Sequence, residues 1–365
     1  MQQMTENKQE QILSNFKIEQ KPTAIVPLGD GLINDTYKVV MGEGASHDYV
    51  LQRINHHVFT DVALLQHNIE VVTGHIRKKL LAAGVSDIDR RVLRFIPTHS
   101  GKTYHETAEG DFWRLSVFIP RTQSFAQVTP KNAYDAGLAF GNFESMLTDV
   151  DETLGETIPD FHNMELRIRQ LREAVLADVA GRLTEVRPLV DLLESHAEAM
   201  CRAEVLYREG RLPKRICHCD TKVNNMLFDE AGGVLCVIDL DTVMPSFIFS
   251  DYGDFLRTAA NATREDDPDI DHVSLRWDVV ESFTKGYIEG THHFLLPIER
   301  ELLPFAMQLF PYMQCVRFLT DYINGDTYYK TTYPAHNLDR ARNQYRLFEL
   351  TLAGQDRLQH FIDTL

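Results

Sequence analysis

The stretch ICHCDTKVNNMLFDEAGGVLCVIDLDTVMP, residues 216–245, sets acidic side chains, paired asparagines and a lysine between apolar runs that favour burial. Within it the residue types run H-x-D-x-x-x-x-N (His218, Asp220, Asn225), then an apolar strand, then Asp239. Phosphoryl transfer from ATP needs these types. One carboxylate must orient an acceptor hydroxyl and take its proton, a task that fits Asp220. An amide oxygen and a second carboxylate suit Mg²⁺, a hard cation that prefers oxygen ligands, and Asn225 and Asp239 offer them. Lys222 supplies a cation to offset charge developing on the transferred group. Asp220 and Asn225 fit one tight loop, and a short hairpin is expected to bring Asp239 back beside them. A polar-edged hairpin without chemistry is the alternative, but it would not require this order of types.

The chain has 365 residues, 44% hydrophobic and 25% charged, which suits a folded protein of two domains or of one domain with a cap. Its 53 acids against 37 bases give a formal net charge of −16. Nucleic acid and anionic lipid rely on basic patches, so neither is an expected partner. Five irregularly spaced cysteines do not form a disulfide framework, and reduced thiols are expected. The segment MQQMTENKQEQILSNF has no apolar core of a signal peptide, and no apolar run is long enough to span a bilayer. A cytoplasmic location is expected; the oligomeric state is not legible.

Outward from the opening stretch the pattern divides. TAIVPLG, DTYKVVM and DYVLQRI, separated by Gly-rich turns, predict an antiparallel meander from about residue 23 to 55. A helix over 60–82 follows, with Val62, Leu65, Ile69, Val72, Ile76 and Leu80 on one stripe and Thr60 as N-cap. RVLRFIP, GKTYHE and DFWRLSVFI then read as strands. After about residue 120 helices dominate, including 131–148 and 187–209, interrupted only by NMLFD and VLCVIDL. The expected fold is therefore α+β, with a strand-rich N-terminal lobe (1–119) and a helical C-terminal lobe (120–365), and a ligand cleft between them.

Three other motifs fail. SGKT at 100–103 has Ile96 where a P-loop needs glycine. GDGLIN at 29–34 lacks a dinucleotide fingerprint's third glycine. CHC at 217–219 has no distant partner pair to complete a zinc site, so its cysteines read as small residues flanking a working histidine.

The motif of the opening stretch resembles the catalytic and metal loops of the aminoglycoside and choline kinase-like phosphotransferases, which have a protein-kinase-like two-lobe fold. Seven segments occur in an order similar to the N-acetylhexosamine 1-kinase family: GDGLINDTY (29–37), YVLQRIN (49–55), HNIEVV (67–72), CHCDTKVNNMLF (217–228), VIDLDTVMP (237–245), DYGDFLR (251–257) and RFLTDYINGDTYYKTTYPAHN (317–337). The resemblance runs from about residue 23 to 345. It implies ATP- and Mg²⁺-dependent phosphorylation of the anomeric hydroxyl of GlcNAc or GalNAc. The C-terminal segment carries the substrate class; the catalytic loop alone says phosphotransferase. Kinases of aminoglycosides, choline or homoserine, and a catalytically silent binding protein of this fold, are the alternatives.

Carried over by position, Asp220 resembles the catalytic base and Asn225 and Asp239 the metal ligands. Lys222 resembles the γ-phosphate lysine, or else is a solvated loop residue. Asp241 would assist the metal or cap the next turn. Gly29, Asp30, Gly31, Asn34 and Thr36 belong to a hairpin resembling the phosphate cover. Glu70 resembles the helix glutamate that kinases pair with a strand lysine, but that strand position holds Gln52. Leu32 stands where the family pattern has histidine. The fold places adenine at the backbone of Val117 to Ile119. Arg317, Tyr328, His336 and Asn337 resemble the sugar pocket, with an intrahelical Arg317–Asp321 pair as the alternative. His218 and Asp251 are expected to support the catalytic loop.

Overall fold

The structure, a computed structural model, describes residues 6–29, 33–125 and 128–365. It has the expected α+β class, an antiparallel sheet followed by a mainly helical portion. The chain forms two compact units. The first comprises the chain through Gln123 together with Asp149–Pro159 and Leu227–Val243; the second comprises Ser124–Thr148, Asp160–Met226 and Met244–Leu365. A single cut at 119/120 thus becomes two returns of the chain to its first unit. Asn68 shows why: its buried side-chain amide donates to the carbonyls of both Gly155 and Val243, each at 2.8 Å. Leu235 and Cys236 bury against Ile119, which holds the second return in place by apolar contact.

In the first unit, α1 (Glu6–Leu13) precedes β1 (Pro22–Pro27), β2 (Asp35–Met41) and β3 (Tyr49–Ile54). After α2 (Val62–Ala82) come β4 (Tyr104–Glu106) and β5 (Phe112–Val117). The sheet order is β1-β2-β3-β5-β4. Val39, Leu51 and Leu115 lie on one face, as the two-residue period of the strands requires, and pack with Ile12, Leu13 and Phe16. RVLRFIP forms no strand. β4 pairs with Phe112–Arg114, which leaves Leu115–Val117 on that edge of β5, and there Phe95 makes an isolated bridge to Ser116. The α2 stripe is buried at Val62, Leu65, Ile69, Val72 and Ile76. Its N-cap is Asp61 rather than Thr60, the carboxylate accepting from the Leu64 amide at 2.9 Å.

The second unit holds α3 (Pro130–Met146), α4 (Met164–Ala177), α5 (Leu183–Met200) and α6 (Arg202–Arg208), so the helix expected over 187–209 is divided at Cys201. Next come β6 (Arg215–Cys217), then β7 (Met226–Phe228) and β8 (Val234–Val237) in the stretch that returns to the first unit, and β9 (Met244–Ser246) back in the second. β6 pairs with β9, and β7 with β8. The chain continues as α7 (Phe249–Ala259), α8 (Trp277–Thr291), α9 (Pro297–Glu301), α10 (Leu303–Ile323), α11 (His336–Ala353) and α12 (Gln355–Asp363). α3 and α8 approach at backbone distance. A Cβ on Gly137 would overlap the Phe283 carbonyl, and one on Gly286 the Tyr134 carbonyl. Among the described residues, no helix is long and apolar enough to cross a membrane.

One buried carboxyl makes this unit pH-sensitive. Glu204 on α6 accepts the amide of Met164, at the start of α4, at 2.6 Å, while its other oxygen has no hydrogen-bond partner among the described residues. Burial pushes its carboxyl from 4.5 to about 7, against the amide that lowers it. Between those values the folded chain holds a proton that the unfolded chain releases. Stability therefore falls as pH rises through that window, by on the order of 3 kcal/mol from this group. Glu204→Gln is expected to remove that portion of the decline, read as a smaller difference between denaturant midpoints at pH 5 and pH 7.

Candidate active site

β6 delivers His218 into a loop whose next residue, Cys219, has a left-handed backbone (φ 56). Such a conformation costs of order 1–3 kcal/mol in a non-glycine residue and needs its surroundings to hold it. Asp251, in the first turn of α7, does so. Its carboxylate accepts the His218 amide at 2.8 Å and the Cys219 amide at 2.6 Å, and its carbonyl accepts the Thr221 hydroxyl at 2.8 Å. His218 is fully buried, edge-on to Phe140 and Phe143, and its Nδ1 accepts the Asp220 amide at 3.3 Å.

A second buried acid, Glu144 on α3, lies beside Asp251. Burial, reinforced by the Asp251 charge, pushes its carboxyl well up, and Tyr287 donates to it at 2.6 Å. Ligand atoms of Glu144, Asp251 and Cys217 lie within 4.8 Å of one another. Burial also pushes the Cys217 and Cys219 thiols well up, so both are protonated packing groups. Protons and backbone amides neutralise this cluster.

Asp220 is half-buried. One carboxylate oxygen pairs with the Lys222 ammonium at 2.5 Å, and the other accepts the Asn225 amide at 3.2 Å. Burial raises its carboxyl, but Lys222, His218 and Asn225 outweigh that and hold it below the ordinary aspartate value. Lys222 is pulled down by burial and raised further by Asp220 and Asp254. Asn225 closes a 3₁₀ turn (Val223–Asn225) and donates also to the Asp220 carbonyl at 2.8 Å. Both amide protons of Asn225 thus go to Asp220, and its side-chain oxygen is a neutral acceptor of the type a hard cation takes. Asp220, Lys222 and Asn225 are brought together within the second unit.

Asp239 and Asp241 belong to the first unit. Asp239 is exposed and left-handed (φ 61) at the start of a 3₁₀ turn, Leu240–Thr242. Asp241 is buried, one oxygen accepting Arg114 at 2.5 Å and the other Asn34 at 2.7 Å. Both oxygens of its carboxylate thus take a side-chain donor. Arg114 also donates to Gln52 at 3.0 Å, and Gln52 donates to Thr36 at 3.1 Å. Asn34 accepts the Asn55 amide at 2.9 Å. Asn34, Thr36 and Gln52 therefore form one polar network around the Arg114 guanidinium. Glu70 is exposed and accepts the Thr103 hydroxyl; the structure does not pair it with Gln52.

Gly29 has a positive φ of 71, whereas Asp30, Gly31 and Leu32 lie outside the described residues. The Val117 amide donates to Arg94 and the Phe118 amide to Asp48, each at 2.9 Å. Among the described residues the Ile119 amide has no backbone partner, which makes it the connector's available donor.

In the C-terminal segment, Asp321 accepts the amides of Thr327, Tyr328 and Tyr329 at 2.8–2.9 Å and the Asn337 side chain at 2.9 Å. It does not pair with Arg317, which donates to Gln314 at 3.2 Å and lies over the Phe161 and Tyr329 rings. Tyr328 is 70% exposed. His336 is buried, accepts the Thr332 amide at 3.1 Å and stacks on Tyr333.

Sequence reasoning missed Arg114 and Glu144. The signal for Arg114 was a lone charge in the otherwise apolar run FWRLSV; for Glu144 it was a carboxylate next to Phe143 on the buried helix face.

The model of the Phosphotransferase enzyme family matches residues 24–287, well over half of the chain. An aminoglycoside phosphotransferase from Alicyclobacillus acidocaldarius subsp. acidocaldarius DSM 446 superposes with a TM-score of 0.65 at 14% identity, covering 100% of this chain and 98% of its own. An amicoumacin kinase in complex with AMP-PNP and Ca²⁺ gives 0.59 at 13% identity over 95% and 94% of the two chains. Spectinomycin phosphotransferase, in complex with ADP and spectinomycin, gives 0.55 at 13% over 96% and 99%. These are likenesses of fold. Taken with the family match, they place the chain in the phosphotransferase enzyme family.

Proposed function

We propose that the chain transfers the γ-phosphoryl group of ATP to the anomeric hydroxyl of an N-acetylhexosamine, GlcNAc or GalNAc, releasing the sugar 1-phosphate and ADP. The observation that carries the transfer is the ionised Asp220 carboxylate, held by Lys222 and Asn225 on a loop pinned by Asp251. The choice of sugar is supported by the resemblance of residues 317–337.

Asp220 accepts the acceptor's proton as the sugar oxygen bonds to the γ-phosphorus. The bond from phosphorus to the β,γ-bridging oxygen breaks, and ADP leaves with its electron pair. Lys222 moves from Asp220 toward the γ-phosphate as that proton arrives. Mg²⁺, when bound, would supply positive charge to offset that on the phosphates. Asn225 offers it an amide oxygen and Asp239 a carboxylate, the hard donors it prefers. The Ile119 amide and the Val117 backbone face adenine, and the hairpin containing Gly29 covers the phosphates. Arg317, Tyr328 and His336 serve the sugar.

Asp239→Asn is expected to weaken Mg²⁺-dependent ATP binding by about tenfold or more, as loss of a hard anionic ligand requires. Titration of ATP with and without Mg²⁺ measures it, and equal Mg·ATP affinity in wild type and variant would count against the ligand. The acceptor class is tested by ATP consumption with GlcNAc, GalNAc, choline, homoserine and kanamycin. Consumption with an N-acetylhexosamine supports the reading, and consumption confined to the cationic acceptors rejects it.

A further inference from the structure

The helix that packs on His218 also carries a buried acid. α3 sets the Phe140 and Phe143 rings edge-on to His218. One residue further, Glu144 is 2% exposed and lies against Asp251 of α7 and Tyr287 of α8. α3 and α8 meet at backbone distance here, for a Cβ on Gly141 would lie 2.9 Å from the Tyr287 carbonyl oxygen. The carboxyl therefore has little freedom to withdraw from either neighbour.

Its two oxygens have different surroundings. Oε2 accepts the Tyr287 hydroxyl at 2.6 Å. Oε1 is buried, and among the described residues no N–H or hydroxyl donates to it. The group beside it is the Asp251 carboxyl, the ligand atoms of the two lying within 4.8 Å of each other. Two buried carboxylates this close do not both ionise without a cation to separate them. Arg215, which senses the Glu144 charge, is held instead by Glu299 of α9, at 2.6 and 2.7 Å. The bond open to Oε1 is thus one to Asp251, and a bond between two carboxyls needs a proton on one of them.

Which acid carries it follows from the donors. Both Asp251 oxygens accept backbone amides, His218 at 2.8 Å and Cys219 at 2.6 Å, and amides favour the ionised form. Glu144 has one hydroxyl donor. Burial, then the Asp251 charge, pushes the Glu144 carboxyl well up. Burial raises Asp251 too, but His218 and the two amides oppose that rise. The remaining titratable groups around Glu144 bring no positive charge. Burial pushes the Tyr287 hydroxyl and the Cys217 and Cys219 thiols well up, so all three keep their protons.

We propose that Glu144 is a positioning residue that acts as a neutral acid: its Oε1 hydroxyl donates to the Asp251 carboxylate, and this shared proton holds Asp251 where it can grip the loop amides of His218 and Cys219 and so place Asp220. As a claim about catalysis, this rests on the phosphotransferase reading above. Asp251 then takes three donors, two from the loop and one from α3, and the cluster carries one negative charge rather than two.

Infrared difference spectroscopy of the full chain at pH 8, wild type against Glu144→Gln, reads the proton directly. Exposed carboxyls are ionised at that pH, and Glu204 contributes to both chains and cancels. A carboxylic acid band is expected in the wild type and not in the variant. Hydrogen–deuterium exchange of residues 216–221, together with turnover, reads the positioning. Glutamine keeps a neutral donor toward Asp251 and an acceptor for Tyr287, so both readouts should stay within about threefold of wild type. Glu144→Leu removes the donor, and Glu144→Asp draws it back by one methylene. Each is expected to speed exchange in that segment and to lower turnover by about ten- to a hundredfold with Mg·ATP affinity kept, the scale of a small misplacement of the reacting groups. Should one of these two chains fail to fold, the other carries the comparison. Identical infrared spectra would overturn the proposal, as would a glutamine chain as impaired as the other two, or leucine and aspartate chains with wild-type exchange. Infrared and exchange are read without turnover. A chain with the acid band and this exchange pattern but no phosphate transfer would retire the kinase reading and leave the shared proton. One that phosphorylates sugars and shows no acid band would do the reverse.

Discussion

Replacing Asp220 with asparagine is expected to lower turnover by about 10²–10⁴ while Mg·ATP still binds, the range for loss of a positioned general base. The substitution keeps the shape of the side chain and removes its charge and basicity. Asn225 can still donate to the new amide's oxygen, but Lys222 loses its 2.5 Å ion pair. A drop in turnover with intact nucleotide affinity would therefore isolate the chemical step. The pH profile adds a sign. Asp220 is held below the ordinary aspartate value, so it is ionised throughout the neutral range. As pH falls, wild-type turnover should lose no activity to Asp220 until below the ordinary aspartate titration. An Asp220→Asn variant turning over at near wild-type rate would remove the residue from this role.

The second large effect is on stability. Arg114 and Asp241 are almost wholly buried and pair at 2.5 Å. Arg114→Met leaves the Asp241 carboxylate in the interior with Asn34 as its remaining side-chain partner. Breaking one side of a buried ion pair costs about 3–5 kcal/mol, because the charge left behind is uncompensated. Joint replacement, Arg114→Met with Asp241→Leu, should recover most of that loss, since no buried charge remains. Denaturant unfolding of the two single variants and the double variant measures the coupling. If the losses simply add, the pair is not the unit of stability described here.

Much of the candidate site was legible because it is local. Asp220, Lys222 and Asn225 lie within one loop, so their types and spacing alone predict that they meet. The α2 stripe and the β1–β3 meander were legible for the same reason, their periods being set by neighbouring residues. What failed depends on contacts distant in sequence. Nothing local says that residues 149–159 and 227–243 return to the first unit, because Asn68 and Ile119 decide it. Nothing local ties Asp241 to Arg114, its partner 127 residues away. Arg317 was expected to find either a sugar or Asp321, and the competition of three backbone amides for Asp321 could not be read from a helix. The N-cap error at Thr60 is a shift of one residue between two capping types.

The most direct test of the central claim is phosphorus NMR of the product formed from Mg·ATP and an N-acetylhexosamine by the wild-type chain beside Asp220→Asn. The account predicts a new signal coupled to the anomeric proton, growing in step with ADP in the wild type and nearly absent in the variant. Phosphate on any other hydroxyl, or an equal anomeric signal from both chains, would contradict it.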